Sequence, residues 1–172
     1  MCLDGRFGSP TTQPDHADGR FAGMQWAQPT PRRSPNLLVV HIVWAARARQ
    51  QLLAPAADVW LADFLRHRCR ILGGSILACG NAADHVHILI RYPSTVCVAD
   101  LVHHLKGAAS YAWNAGQSEG PHLVWQAGYW AESLSPADVP KATSYVERQR
   151  EHHAAGSGVA EAWERGLRTS TT

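Results

Sequence analysis

Cysteine is scarce in this chain and is not spaced for chemistry. The four residues, Cys2, Cys69, Cys79 and Cys97, form no Cys-x-x-Cys pair, which excludes a zinc knuckle and argues against a disulfide scaffold. Thiols so placed suit a reducing compartment. Long hydrophobic runs are missing as well. The longest, Leu37 to Ala46, is broken by His41 and is too short to span a bilayer. Met1 to Arg6 carries no apolar export segment, so the chain reads as cytoplasmic, with no membrane partner. Net charge of one sign is also small. A formal +2 and a pI near 8.5 exclude an overwhelming basic field. The bias is local instead: residues 36–110 hold seven basic and four acidic side chains. Internal repeats are absent.

What is present suffices for one domain, since 172 residues with 45% hydrophobic content can close an ordinary core. Residues 1–35 hold five of the ten prolines and four glycines without apolar periodicity, which predicts a disordered extension. The domain proper is expected over 36–155. A tail over 156–172 follows Gly156-Ser157-Gly158, with a short helix at Val159 to Arg165. Within the domain, Leu37 to Ala45 predicts a buried strand. Asp58 to Leu72 predicts a helix with Val59, Leu61, Ala62, Leu65, Cys69 and Leu72 inward, closed by Gly73-Gly74. Ser75 to Gly80 and His85 to Arg91 make a strand pair. Val98 to Asn114 is a second helix, and Leu123 to Leu134 supplies one or two more strands. The last helix takes Asp138 as N-cap, because Pro140 is tolerated only in a first turn. The count is five or so strands and three helices. Their order, βαββα and then β, predicts an α+β fold: a ferredoxin-like antiparallel sheet with helices on one face, plus a C-terminal tyrosine-bearing helix.

One segment carries most of the chemistry. Asp84-His85-Val86-His87-Ile88-Leu89-Ile90 sets two imidazoles two residues apart on a strand, so His85 and His87 share one face while Val86, Ile88 and Ile90 share the other. Two neighbouring imidazoles can reach one metal ion. A single His-x-His is nevertheless more often a solvated or hydrogen-bonded face. A second segment, Lys141 to His153, is rich in helix formers and has no Gly or Pro. Tyr145, Gln149 and His153 fall at i, i+4 and i+8 along one stripe. The tyrosine hydroxyl is a candidate covalent nucleophile, and the glutamine amide oxygen a candidate third ligand. Taken alone, this helix reads more simply as amphipathic, its tyrosine half buried and its Gln and His solvated.

Together these segments resemble the single-tyrosine HUH transposases, a group that includes small insertion-sequence transposases and the REP-associated tyrosine transposases. The His-hydrophobe-His motif is His85-Val86-His87. Val98-Ala99-Asp100-Leu101-Val102 running into Leu105-Lys106-Gly107 is similar to the helix that follows it. Trp125-Gln126-Ala127-Gly128-Tyr129 before Ser133-Leu134-Ser135-Pro136, and then Tyr145-Val146-x-x-Gln149-x-x-His152-His153, match in the family's order. The likeness runs from near Leu38 to near His153. Arg148 stands where relatives often carry asparagine, and Asn81-Ala82-Ala83 replaces a common Gly-Met-Pro; Trp130-Ala131-Glu132 departs from a less polar stretch. None of these removes a proposed catalytic group.

The resemblance implies a metal-dependent single-strand DNA endonuclease and strand transferase that forms a 5′-phosphotyrosine at hairpin-associated sites. Tyr145 would be the nucleophile, and His85, His87 and Gln149 would hold a divalent metal, magnesium or manganese. The two imidazoles favour manganese on ligand softness. Single-stranded DNA with hairpins and a second copy of the chain, as a homodimer, are the implied partners. Arg47 and Arg49, where relatives have a basic loop, and Lys106 are the expected nucleic-acid contacts; each is also an ordinary surface charge. Tyr111 lacks a partner glutamine and Tyr129 lies in a strand region, so neither displaces Tyr145. His41 reads as a core or edge histidine, and adjacent His103 and His104 as exposed. The tryptophans read as core, with Trp125 and Trp130 open to either packing or base stacking. Two alternatives stand beside the transposase: a host-retained DNA hairpin-binding protein, and a small metal-dependent hydrolase sharing only the strand motif.

Overall fold

The computed structural model describes residues 38–116 and 120–154. The expected N-terminal extension (1–35), the C-terminal tail (156–172) and its short helix lie outside the described residues.

The first strand, β1 (Leu38–Ala45), is built of β-branched and apolar residues and is buried on both faces from Val39 onward. A tight turn at Arg47–Arg49 follows, in which Ala48 and Arg49 take left-handed φ of 53° and 56°. Such a pair of non-glycine residues is uncommon and sits beside the histidine strand. Helix α1 (Asp58–Ile71) buries Leu61, Leu65 and Cys69 at 3–4 residue spacing. It ends as its glycine pair predicts. Gly73 takes φ +82°, its N–H meets the Arg70 carbonyl, and the Gly74 N–H meets that of Cys69, the paired bonds of a Schellman cap.

Strands β2 (Ser75–Asn81) and β3 (His85–Tyr92) form the expected pair, with a register irregularity between Ile76 and Ala78. Helix α2 (Val98–Ala115) returns the chain to β4 (Trp130–Ser133), and helices α3 (Val139–Glu147) and α4 (Gln149–Ala154) complete the described residues. The sheet order is β2-β3-β1-β4, antiparallel throughout. That is the ferredoxin-like arrangement.

Two packings cover the sheet. On one face Val40, Ile42 and Trp44 of β1 and Val86, Ile88 and Ile90 of β3 meet Leu61 and Leu65 of α1 and Leu101 and Leu105 of α2. The opposite face carries His41, His85 and His87 by strand parity. There the apolar cluster is small: Val39, Ala78 and Leu89 from the sheet and Val146 from α3. Helix α3 is therefore anchored by one fully buried side chain, with Tyr145, Val139 and Ala142 packed partly against the same cluster.

Two expectations need correction. Four strands are found among the described residues, since of Leu123 to Leu134 only Trp130–Ser133 is a strand, with an isolated bridge from Ala46 to Trp125. The last helix is two helices, because Arg148 leaves helical geometry at φ −102°, ψ 19°. Asp138 stands at the N-cap of α3 as expected, its carbonyl accepting from the Ala142 N–H at 3.0 Å, while its carboxylate accepts from the Ser135 hydroxyl at 2.6 Å rather than from the helix backbone.

Candidate active site

The histidine face of β3 lies under the α3–α4 pair, and a single glycine sets how closely they approach. Gly80 pairs with His87 across β2 and β3 and so points to the same face. A Cβ there would lie 2.9 Å from the Val146 carbonyl carbon, nearer still to its oxygen, and 3.5 Å from Gln149 Cγ. The end of α3 thus rests on bare backbone, and Gln149 lies across the strand position opposite His87. A clamp holds the following helix. Arg150 donates from Nε to Asp58 Oδ2 at 2.7 Å, from Nη2 to Asp58 Oδ1, and from Nη2 to the Leu53 carbonyl at 3.0 Å. Asn81 Nδ2 also donates to Asp58 Oδ1, at 3.0 Å, tying β2 into the clamp.

These contacts bring His85, His87 and His153 together, their ligand nitrogens all within 4.8 Å of one another. The His85 and His153 rings are 4.7 Å apart and nearly perpendicular. Tyr145 packs on the same group, its ring 5.9 Å from His87, 6.3 Å from His41 and 5.4 Å from His152. The single stripe expected for Tyr145, Gln149 and His153 is broken at Arg148. Gln149 Nε2 reaches back to the Tyr145 carbonyl at 3.3 Å, while His152 takes the place beside the tyrosine ring.

Each buried strand imidazole is held through its Nδ1. His85 Nδ1 donates to Asp84 Oδ1 at 2.6 Å, which leaves the lone pair on Nε2. Burial pushes the Asp84 carboxyl up, but the hydrogen bond from His85 and the charge of Arg49 outweigh it and lower its pKa. His87 Nδ1 lies 3.1 Å from His41 Nε2. The tautomer with the lone pair on His87 Nε2 has Nδ1–H donating to His41. Burial lowers His41 to about 4, so it stays neutral at pH 7. Burial also holds His87 well below its ordinary value, and the nearby Arg49 charge lowers it further.

The donor set fits a cation. Six buried side-chain polar atoms lack a hydrogen-bond partner among the described residues. Three belong to N–H groups of Trp44, Arg68 and Gln126. The other three are His85 Nε2, His87 Nε2 and Gln149 Oε1, the lone-pair atoms of the residues expected as ligands. A buried polar atom left unpaired costs about 1–3 kcal/mol. A divalent ion is the partner that two imidazole nitrogens and an amide oxygen suit together.

The expected basic contacts divide. Arg47 is exposed, whereas Arg49 Nε pairs with Asp84 Oδ2 at 2.7 Å and so braces the residue that orients His85. Lys106 Nζ donates to the carbonyls of Gln126, Ala127 and Gly128 at 2.8, 3.3 and 2.8 Å. Its ammonium holds the 126–128 loop, and burial lowers its pKa. Trp125 is core: its ring packs edge-on to Trp44 and its Nε1 donates to the Lys106 carbonyl at 3.0 Å. Trp130 lies edge-on to His41 at 5.5 Å. His103 and His104 are exposed, and Tyr111 is 78% exposed on α2.

His41 is the buried strand histidine expected, but sequence reasoning missed its contact with His87, and it missed Gly80, Arg150 and the role of Asp84. His41 had one signal, a histidine inside an otherwise apolar strand. The others depend on strand register and helix docking.

A family described as "Transposase IS200 like" matches residues 34–149. The ISDra2 transposase TnpA of Deinococcus radiodurans is 25% identical over 119 residues, covering 66% of this chain and 85% of its own. The transposase for insertion sequence element IS200 of Salmonella typhimurium is 26% identical over 125 residues, 70% and 82% of the two chains. A crystal structure of an assigned transposase from Deinococcus radiodurans R1 superposes with a TM-score of 0.55 at 25% identity, over 69% of this chain and 95% of that one. A REP-associated tyrosine transposase bound to a REP hairpin shares the fold at TM-score 0.53 and 18% identity, over 71% and 72%. No helix among the described residues is long and apolar enough to cross a membrane. With its ferredoxin-like sheet and a tyrosine packed on paired strand histidines, the chain belongs to the family of IS200-like transposases.

Proposed function

We propose that this protein cleaves and rejoins single-stranded DNA at hairpin-associated sites, with Tyr145 as nucleophile and a divalent metal ion held by His85, His87 and Gln149. One observation carries the reading. The half-buried Tyr145 ring lies 5.9 Å from the ring of His87, whose Nε2 is one of three buried lone-pair atoms without a partner among the described residues. In cleavage the Tyr145 Oη–phosphorus bond forms as the bond from phosphorus to the 3′ oxygen breaks. The 5′ phosphate stays on the tyrosine and the leaving oxygen becomes a free 3′ hydroxyl. Reversal by an incoming 3′ hydroxyl reseals the strand without an external energy source. When bound, the divalent ion supplies charge against the non-bridging phosphate oxygens and orients the phosphate.

The remaining roles belong to the chain itself. Asp84 and Arg49 hold His85 in one tautomer, and His41 does so for His87. The Arg150–Asp58 clamp keeps Gln149 over the sheet. Arg47, exposed at the turn after β1, suits a phosphate contact; Arg49 and Lys106 serve DNA through the site and the loop they brace. The protein is further proposed to act in the cytoplasm as a homodimer.

A covalent-adduct assay tests this reading. Labelled single strands from both flanks of the gene are incubated with wild type, Tyr145→Phe and His87→Ala, with and without manganese. A metal-dependent, denaturant-resistant band in wild type alone is expected. Cleavage that survives Tyr145→Phe but not His87→Ala would replace the transferase with a metal-dependent hydrolase. Hairpin binding without any adduct would leave a host-retained binding protein.

A further inference from the structure

This inference rests on the reading that His85, His87 and Gln149 hold a divalent ion. We propose that His153 is a further ligand of that ion, and that three imidazoles with one amide oxygen select a transition-metal ion such as manganese over magnesium.

Three observations carry it. The ligand nitrogen of His153 lies within 4.8 Å of those of both His85 and His87, close enough for small side-chain rotations to bring all three to one centre. Its position is fixed from outside the site, since the Arg150 clamp to Asp58 and Leu53 lies three residues earlier on the same helix. The cluster also offers a hard cation little. Asp84 is the adjoining carboxylate, and its two oxygens are already engaged, Oδ1 by His85 Nδ1 and Oδ2 by Arg49 Nε. Magnesium favours carboxylate, carbonyl and water oxygens; manganese accepts these too, but as a first-row transition metal it also takes imidazole nitrogen, though less strongly than iron, nickel or zinc. Half-buried where His85 and His87 are fully buried, His153 stands on the solvent side of the group. A ligand there closes the site toward α4.

The test measures metal binding, apart from DNA cleavage. Wild type, His85→Ala, His153→Gln and His153→Cys are titrated with manganese, magnesium and cadmium, and bound manganese is examined by pulsed electron paramagnetic resonance, which counts coordinated imidazole nitrogens. Wild type should bind manganese at least about tenfold more tightly than magnesium and show three imidazoles. His153→Gln should show two, with manganese affinity reduced by at least about tenfold, the loss that even an outer-shell partner brings. His153→Cys should gain cadmium affinity and a sulfur-to-cadmium charge-transfer band, which only a ligating position gives. That arm stands even if His153→Gln folds poorly. Two imidazoles in both wild type and His153→Gln, or cadmium bound to His153→Cys without the band, would remove His153 from the metal and leave the His85–His87–Gln149 reading intact. Equal affinity for magnesium and manganese would overturn the selection. Manganese binding that is absent from wild type, or unchanged in His85→Ala, would overturn both readings.

Discussion

Replacing Gly80 with alanine tests whether α3 rests directly on the sheet. The added Cβ would lie 2.9 Å from the Val146 carbonyl carbon and nearer to its oxygen. Ordinary carbon contacts begin near about 3.5 Å. The obstacle is helix backbone, so no side-chain rotation relieves it, and α3 must lift by on the order of 1 Å. Two routes lead to similar costs. If the helix stays, overpacking strain of about 1–3 kcal/mol accumulates. If it lifts, Val146, the one α3 side chain fully buried in that cluster, loses burial worth about 1.5–3 kcal/mol. Either way the loss is about 2 kcal/mol, or roughly 4–8 °C in Tm for a chain of this size.

Activity should fall further than stability. Tyr145 and Gln149 flank Val146, and a shift of about 1 Å in a reacting group can cost about 100-fold in rate. Gly107→Ala is the control. It lies in α2 with nothing within 4 Å of an added Cβ, so it should gain up to about 1 kcal/mol from reduced backbone freedom. Thermal unfolding and the rate of covalent-adduct formation read both variants. If Gly80→Ala kept wild-type Tm and adduct rate, α3 would not sit on β2 at this distance, and the placement of Tyr145 would fall with it.

Removing metal should leave a protein whose stability declines with acid. His41 and His87 are neutral in the fold and their pKa values are depressed, so the unfolded chain gains protons that the native state refuses. Stability is then fully present above pH 6.5 and is lost as pH falls toward 4. His41 alone accounts for about 3 kcal/mol of that loss. Urea melts in chelator at pH 7.5 and 5 check it, and a flat profile would refute the burial of neutral imidazoles. Asp84→Asn weakens the acceptor for His85 Nδ1 and for Arg49, and manganese affinity should drop about 10–100-fold in a calorimetric titration. Lys106→Met should lower Tm by loosening the 126–128 loop while leaving the salt dependence of DNA binding unchanged. Arg47→Ala should do the reverse, reducing the salt slope by about one phosphate contact; a slope change in Lys106→Met would restore the phosphate role.

What could be read from the chain, and what could not, follows from which interactions are local. Strand parity placed His85 and His87 on one face, and helix periodicity with a glycine pair placed α1 and its cap. Parity says nothing about neighbours, however. His41 meets His87 only because β1 pairs with β3 in the register that sets Val43 opposite His87, and their 46-residue separation hides this from any window. The break at Arg148 is hidden for the same reason. An unbroken helix satisfies every local preference from Lys141 to His153, and interrupting it forgoes one or two backbone hydrogen bonds at about 1 kcal/mol each. Tertiary contacts offset that loss. The end of α3 docks on Gly80, Gln149 becomes buried, and Arg150 forms three hydrogen bonds to Asp58 and Leu53. The same break brings His152 onto Tyr145 and leaves His153 beside His85. The departure from the predicted helix is therefore what assembles the histidine cluster around Tyr145.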